Sequence, residues 1–196
     1  MFCMEQTFEI KRKVFVVKEQ INENSYLVER KDKLFFLKQF LNKGDFEQFV
    51  RTAKRFSITA IDTPKIYYYE KSLFIVVMQY IQGESILDML IKGDLDEKFY
   101  EMIFKIEWYA HNEKMILDFK PDQFIYDGKK LYYVGFKYCA YNQKESFAMQ
   151  DIKYWFYTKD LVSYLKAKGL PIDESRLGNE YAKNKEMALM ACKYYL

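Results

Sequence analysis

The sequence predicts an α+β fold in which strands and helices are segregated along the chain. Before Gly83, most segments carry the β-branched and aromatic residues that are typical of strands. After Gly83, apolar residues recur mainly with the 3.6-residue period of helices. Runs of strands followed by runs of helices are typical of α+β proteins. We therefore expect two regions, residues 1–80 and residues 81–196.

The first region contains five predicted strands and one predicted helix. Between the third and fourth strands, apolar residues at helical spacing predict a helix over Asp45–Phe56. We expect the apolar stripe of this helix to be buried, namely Phe46, Phe49, Val50, Ala53 and Phe56. The predicted strands are Phe8–Lys18, Ser25–Arg30, Leu34–Phe40, Lys65–Glu70 and Leu73–Tyr80.

The second region is predicted to be mainly helical, with one hairpin. A short helix over Ile86–Ile91 ends at Gly93, and Asp94 is the predicted N-cap of a longer helix that buries Ile103 and Ile106. The remaining features in chain order are an irregular stretch (His111–Asp122), a hairpin turning on Asp127-Gly128 (Phe124–Val134), and helical segments broken near Gly169 (Ser146–Lys168 and Asp173–Leu196).

The composition favours a protein-binding function over a nucleic-acid-binding one. The chain has 18 Tyr, 17 Phe and 2 Trp, and we expect these rings to pack the core first and to serve a protein interface second. Binding to nucleic acid is not expected, because a net charge of +3 is too small to indicate it. The basic excess lies mainly in Lys11-Arg12-Lys13 and in Arg51, Lys54 and Arg55.

The sequence also bears on location. No apolar run approaches the roughly 20 residues of a membrane span, and no apolar leader precedes Glu5. The three cysteines (Cys3, Cys139 and Cys192) are odd in number and far apart, which favours reduced thiols over a disulfide framework or a zinc site. We therefore expect a cytoplasmic protein without a membrane span.

Four segments resemble the eukaryotic-like protein kinase superfamily. Asp118–Phe124 is similar to the catalytic loop of that family, Asp-x-Lys-Pro-x-Asn followed by an apolar strand. Val134–Lys137 stands where the family has Asp-Phe-Gly, Val76–Gly83 resembles the hinge, and Phe35–Lys38 resembles the third strand with its phosphate-pairing lysine. The resemblance covers about residues 8–140.

This resemblance implies one bilobal kinase-like domain, with a small antiparallel-sheet N-lobe over residues 1–80 and a reduced helical C-lobe over residues 81–196. It implies Asp118 as the catalytic base and Lys120 as a second catalytic residue. It implies ATP as the possible cofactor. The nucleotide-binding residues it implies are Lys38 with its partner Glu47, and Met78, Gln79 and Tyr80 at the hinge.

The chain departs from the family where phosphate and metal are held. The turn Ile21–Leu27 has no glycine, although the family covers the ATP phosphates with a glycine-rich loop. Gly135 and Gln123 occupy the positions of the family's metal-binding Asp and Asn. Magnesium usually needs one or two carboxylates, so the resemblance argues against magnesium and against a metal site here. Asp118 or Asp122 would be the nearest substitute ligands.

The residues alone leave other interpretations open. Lys38 is also compatible with a lysine that extends to the surface, Asp118 with a loop aspartate bound to backbone amides, and Lys120 with an exposed lysine. Gly83 is expected to bend the hinge. His111, the only histidine, is expected to pack at a helix end, and its isolation disfavours Ser-His-Asp chemistry unless His111 is itself the base.

The preferred interpretation is a shortened, degenerate pseudokinase. Such a protein would act as a scaffold or regulator through an unidentified protein partner, with weak or absent nucleotide binding. The second hypothesis is an active, divergent small Ser/Thr protein kinase that uses Asp118 and Lys38. The third is a non-enzymatic α+β interaction module with accidental similarity to kinases.

Overall fold

The computed structural model describes residues 6–194 and has an α+β fold. The chain forms two compact units. One comprises the chain up to Ile58 together with Thr63–Gln82, and the other comprises Thr59–Asp62 together with Gly83–Leu196. Thr59–Asp62, which the sequence placed with the first region, belongs to the second unit, because Tyr133 N–H donates to the Asp62 carbonyl (2.9 Å) and Lys130 Nζ lies 3.0 Å from its carboxylate.

The first unit is a six-stranded antiparallel sheet with one helix. The strand order is β1-β2-β3-β4-β6-β5. The sheet curls into a half-barrel around an apolar core of Ile10, Phe15, Tyr26, Val28, Leu37, Ile75 and Val77. The elements are β1 (Thr7–Ile10), β2 (Lys13–Asn22), β3 (Ser25–Arg30), β4 (Lys33–Gln39), α1 (Lys43–Phe56), β5 (Ile66–Glu70) and β6 (Ile75–Gln79).

The predicted single strand over Phe8–Lys18 is wrong, so the sheet has six strands and not five. The chain reverses at Lys11-Arg12, where both residues have positive φ (50° and 61°) and where Ile10 pairs with Lys13. This is the backbone of a two-residue type I′ turn, which usually carries Asn-Gly. The reversal escaped the sequence analysis because neither residue is a turn former.

Replacing Lys11-Arg12 with Asn-Gly is expected to raise the free energy of unfolding by about 1 kcal/mol, because the native pair adopts a conformation that is costly for residues other than Gly and Asn. Urea denaturation measures the change. Lys129→Asn is the control, since Lys129 is exposed and has no positive φ. A stability of Lys11→Asn/Arg12→Gly equal to or below that of the parent would contradict the expectation.

Helix α1 begins where the sequence placed it, within two residues. The Asn42 side chain caps it by accepting a hydrogen bond from Asp45 N–H (2.9 Å). The predicted burial is confirmed for Phe46, Ala53 and Phe56, whereas Phe49 and Val50 are half-buried.

The second unit is mostly helical and contains two small sheets. Its elements are β7 (Glu84–Ser85), α2 (Ile86–Lys92), α3 (Glu97–Asn112), β8 (Met115–Leu117), β9 (Phe124–Tyr126), β10 (Leu131–Tyr133), β11 (Tyr138–Ala140), α4 (Lys159–Ala167) and α5 (Glu180–Tyr194). The sheets have the orders β10-β9-β7 and β11-β8.

The second unit agrees with the predicted hairpin and differs from several other local predictions. The hairpin on Asp127-Gly128 is confirmed, with Gly128 at a φ of 95°. The irregular stretch after α3 contains a strand that was missed, β8. Asp94 is not the N-cap of α3; Asp96 is, and Asp94 instead forms an ion pair with Arg176 (3.0 Å). The predicted helix over Ser146–Lys168 is shorter: a π-helical turn (Phe147–Asp151) and a 3-10 turn precede α4.

Aromatic rings fill much of the core, as the composition predicted. Ten of the largest fully buried side chains are aromatic. In the second unit, the Trp155 ring contacts Phe124 and Phe147, and Ile103 and Ile106 are buried as expected. His111 stacks on Tyr141 at the end of α3.

Within residues 6–194, no helix combines the length and the apolar composition that crossing a bilayer requires. The predictions for the leader before Glu5 and for Cys3 lie outside the described residues.

Candidate functional site

The loop between β8 and β9 carries the kinase-like residues of the second unit. Asp118 follows the fully buried strand β8, and its carboxylate accepts a hydrogen bond from Lys120 N–H (3.3 Å). Pro121–Gln123 then forms a 3-10 turn that leads into β9. This contact is the one expected of a loop aspartate that binds a nearby backbone amide, which was the alternative to a catalytic role for Asp118. The Asp118 side chain is nevertheless partly accessible.

Lys120 is held by Asp151. The two side chains form an ion pair at 2.5 Å and are only 25% and 13% exposed. The second oxygen of Asp151 accepts a hydrogen bond from Phe119 N–H (3.3 Å), and the Tyr154 ring lies under the Lys120 ammonium (4.1 Å). Lys120 is therefore not the exposed lysine of the alternative interpretation. Asp151 was missed by the sequence analysis because it lies 31 residues away and carries no local motif.

Tyr133 connects the catalytic-like loop to the segment that resembles Asp-Phe-Gly. Its hydroxyl donates to the Lys137 carbonyl (2.7 Å) and accepts from Lys137 N–H (3.3 Å) and Asp118 N–H (3.4 Å). All three hydrogen-bonding positions of the hydroxyl are thereby used. Burial raises the pKa of Tyr133 above its ordinary value, so the hydroxyl is neutral at physiological pH.

The space that a side chain at Gly135 would need is filled by neighbouring side chains. A Cβ atom placed on Gly135 would lie 2.7 Å from both Gln123 Oε1 and the Tyr133 hydroxyl. The next residue, Phe136, is buried and has a φ of 48°, which is a strained conformation for a bulky residue. The position at which the kinase resemblance would place a metal-binding carboxylate therefore has neither a side chain nor room for one.

These residues do not fit a magnesium site of the kinase type. Gln123 offers one neutral oxygen, and Gly135 offers no ligand. Among the described residues, no group of three or more His, Cys, Asp or Glu side chains is arranged to hold a metal ion.

Asp122 has a structural role. Its carboxylate accepts hydrogen bonds from Tyr164 (2.7 Å) and Lys168 (2.8 Å), which tie the 3-10 turn to α4 and its end. Burial alone would raise the pKa of Asp122, but these hydrogen bonds outweigh burial and lower it. Both oxygens of Asp122 are occupied by these hydrogen bonds, so the structure does not leave Asp122 open as a metal ligand.

Gly135→Ala is expected to lower the free energy of unfolding by about 1–3 kcal/mol, because Gln123 and the buried Tyr133 must both shift. Gly93→Ala is the matched control: Gly93 is extended, with a φ of −175°, and has no atom within 4 Å of its added Cβ. Thermal and urea denaturation of both variants measure the difference. Equal stabilities of the two variants would show that the space at Gly135 is open.

In the first unit, Lys38 lies on the convex face of β4, opposite to the face that packs the half-barrel core. Its cross-strand neighbours are Ser25 and Val76, and its ammonium lies over the rings of Phe40 (5.3 Å) and Phe49 (5.7 Å). Glu47 lies in the second turn of α1 and approaches Lys43 at 3.8 Å, with its side chain half-exposed.

The predicted hinge residues follow β6. Met78 is buried between its cross-strand neighbours Phe36 and Ile66, and Tyr80 is half-buried. Gln79 N–H donates to the Lys65 carbonyl (2.8 Å). Within the second unit, a Cβ atom on Gly83 would lie 2.2 Å from the Tyr126 carbonyl oxygen, so close backbone approach requires glycine there.

The turn that corresponds to the glycine-rich loop is closed by its own contacts. Asn24 N–H donates to the Asn22 side chain (3.1 Å), and the Tyr26 hydroxyl donates to the Glu23 carbonyl (3.2 Å). Glu23 is exposed at the tip. The turn therefore presents a carboxylate at the place where the kinase resemblance would put backbone amides facing phosphate.

No protein-family model matches this chain, and no curated protein matches it.

Proposed function

We propose that this chain is a degenerate, kinase-like protein that acts through contact with a protein partner and transfers no phosphate. The observation that carries the proposal is the filled space at Gly135, where the Tyr133 hydroxyl and Gln123 Oε1 lie within 2.7 Å of any added Cβ. Phosphoryl transfer rests on positioning and on neutralising phosphate charge. A site without the metal carboxylate lacks the main means of doing so.

The charges of the catalytic-like loop support the same conclusion. Lys120 is paired with Asp151, and Lys168 is paired with Asp122, so both ammonium groups are already neutralised by carboxylates. Neither is placed to balance the charge of a triphosphate. Asp118 adds a further negative charge to the loop.

Nucleotide binding is proposed to be weak or absent. Phe36 lies on the same face of β4 as Lys38, between Leu27 and Met78 of the neighbouring strands. The kinase motif Val-Ala-Ile-Lys has a small alanine at the position of Phe36. A phenylalanine ring there, together with the carboxylate of Glu23, disfavours a bound nucleotide.

Purified protein incubated with labelled ATP and magnesium or manganese is expected to show no incorporation of phosphate above background, alone or with a generic acceptor. Loss of one well-placed charge-stabilising group typically costs about 10²–10³ in rate, and here the metal carboxylate and the glycine-rich loop are both absent. Asp118→Asn is the control variant. Robust incorporation that disappears in Asp118→Asn would overturn the proposal in favour of an active divergent kinase. Incorporation that persists would identify a contaminant.

The divergent kinase is the second candidate because Asp118 and Lys38 are both retained. Thermal shift separates the candidates, since a ligand that binds the folded state raises the melting temperature. Stabilisation by ATP that requires magnesium favours the kinase. Stabilisation without magnesium favours a nucleotide-binding pseudokinase. No shift fits a pseudokinase without nucleotide or a plain interaction module.

We place this function in the cytoplasm. Cys139 and Cys192 are exposed free thiols, which persist in a reducing compartment.

A further inference from the structure

One end of the half-barrel sheet gathers seven basic side chains, which we call the basic end. The register places the β1–β2 turn and the β3–β4 turn side by side, because β2 and β3 are paired neighbours. The start of β5 lies at the same end, since Lys65 bonds to Gln79, which is opposite Phe35. The basic end consists of Lys11, Arg12, Lys13, Arg30, Lys31, Lys33 and Lys65.

The charges of the basic end are not neutralised within the described chain. None of the seven side chains forms an ion pair with a described residue, although Asp32 lies in the second turn and Glu9 lies on β1. Glu29 is engaged by Lys18 at 3.0 Å. In the second unit, by contrast, most basic side chains are paired with carboxylates, among them Lys92, Lys130, Lys159 and Lys166.

Three of the cations at the turns have backbone conformations that are unfavourable for Lys and Arg. Lys11, Arg12 and Lys31 all have positive φ, between 50° and 61°. Asn or Gly would occupy these positions at lower energy. Energetically unfavourable backbone conformations tend to occur at functional sites. At these three positions the residues that adopt such a conformation are all positively charged.

Apolar side chains flank the basic end on the convex face of the sheet. Val14 is 53% exposed and follows the first turn, and Leu34 is 44% exposed and follows the second. They are each the second residue of a strand and lie on the face opposite to the one that packs the core. Lys13 and Arg30 lie on the core-facing side, over the rings of Tyr68 (3.8 Å) and Phe15 (5.9 Å). A chain bound across the turns would therefore have cations on one side of it and Val14 and Leu34 on the other.

We propose that the basic end binds an acidic segment of a protein partner, one that carries a few apolar residues between its carboxylates. This inference rests on the proposed function and names the class of partner. Charge complementarity favours carboxylates. Nucleic acid is disfavoured because single strands are held by several successive rings, and two of the three tyrosines of β5 are covered by lysines: Lys13 lies over Tyr68 (3.8 Å) and Lys11 over Tyr69 (5.0 Å), which leaves Tyr67 (49% exposed) for stacking. A lipid surface is disfavoured because the large exposed apolar side chains described at this end, Val14, Leu34 and Tyr67, are too few to form an apolar face that inserts into a bilayer.

The test uses a variant, called the turn variant, that removes four cations through Lys11→Asn, Arg12→Gly, Lys31→Asn and Lys33→Gln. Its Asn and Gly residues also adopt positive φ at lower energy than Lys or Arg. The matched control has the same net charge, through Lys105→Gln, Lys129→Gln, Lys144→Gln and Lys185→Gln, all at exposed positions. The probe is a fluorescent peptide of about 12 residues, rich in Asp and Glu with two Leu, measured by anisotropy at near-physiological salt. A glutamine analogue of the peptide, phosphatidylserine vesicles and a single-stranded oligonucleotide serve as competing probes.

We expect the acidic peptide to bind the parent protein and the control equally, and to bind the turn variant at least about tenfold more weakly. The turn variant should melt no lower than the parent, so its loss of binding is not a loss of fold. Equal weakening in both variants, no binding of the peptide, or preferential binding of vesicles or oligonucleotide would each overturn the inference. If the protein neither transfers phosphate nor binds the peptide, this inference is wrong and the proposed function stands. If the protein transfers phosphate, the proposed function is wrong whether or not the peptide binds.

Discussion

Trp155→Ala is expected to lower the free energy of unfolding by about 3–5 kcal/mol, because the ring that it deletes is fully buried. The ring lies against Phe124 and Phe147, and its Nε1–H donates to the Phe119 carbonyl at 2.7 Å. The substitution therefore leaves a cavity and an unpaired carbonyl in the loop between Asp118 and Lys120. Urea denaturation followed by circular dichroism measures the loss.

Trp108→Ala is the matched control, because Trp108 lies on α3 with about half its surface exposed. Its replacement is expected to change stability by less than about 1 kcal/mol. Trp155→Phe separates the two contributions of Trp155, since it keeps an aromatic ring and removes the hydrogen bond. If the alanine variants at both positions lost the same stability, the packing described around Trp155 would be incorrect.

Stability is expected to fall as the pH rises from about 4.5 to about 7, and Glu107 is the cause. This glutamate is buried in α3, where burial raises its pKa from 4.5 to about 7. Its Oε1 accepts a weak hydrogen bond from Ala148 N–H (3.4 Å), while Oε2 and the nearby Ser146 hydroxyl have no hydrogen-bond partner within the described structure. No buried cation offsets the charge in these contacts.

The sign follows from proton binding. Between pH 4.5 and 7 the folded state retains a proton that the unfolded state has lost, so a rise in pH favours unfolding in this window. The difference in pKa corresponds to about 3 kcal/mol, fully lost above about pH 7. We expect Glu107→Gln to be more stable than the parent at about pH 8 by a similar amount, with the gap closing toward about pH 4.5.

Urea denaturation across this range tests the Glu107 prediction. Glu101→Gln is the control, because Glu101 is exposed on the same helix. Its stability profile should run parallel to that of the parent. A parallel profile for Glu107→Gln as well would show that the Glu107 carboxyl is solvated and titrates normally.

The sequence by itself determined the features that depend on neighbouring residues. Apolar spacing located α1 and its buried Phe46 and Ala53, and Asp127-Gly128 located the hairpin between β9 and β10. Two departures from the kinase motifs that the chain resembles are also visible in the sequence: the turn Ile21–Leu27 has no glycine, and Gly135 has no carboxylate. Each of these follows from local backbone preference or from the presence of a side chain.

Only the tertiary structure decided what surrounds those residues. Asp151 pairs with Lys120 across 31 positions, and Tyr133 fills the space at Gly135 through a side chain whose direction no local pattern predicts. The short strand β8 formed because β11 supplies its hydrogen bonds, and the turn at Lys11-Arg12 formed because the pairing of β1 with β2 outweighs the cost of two positive φ angles. Such partners are distant in sequence or act against local preference, so packing and hydrogen bonding of the folded chain select them.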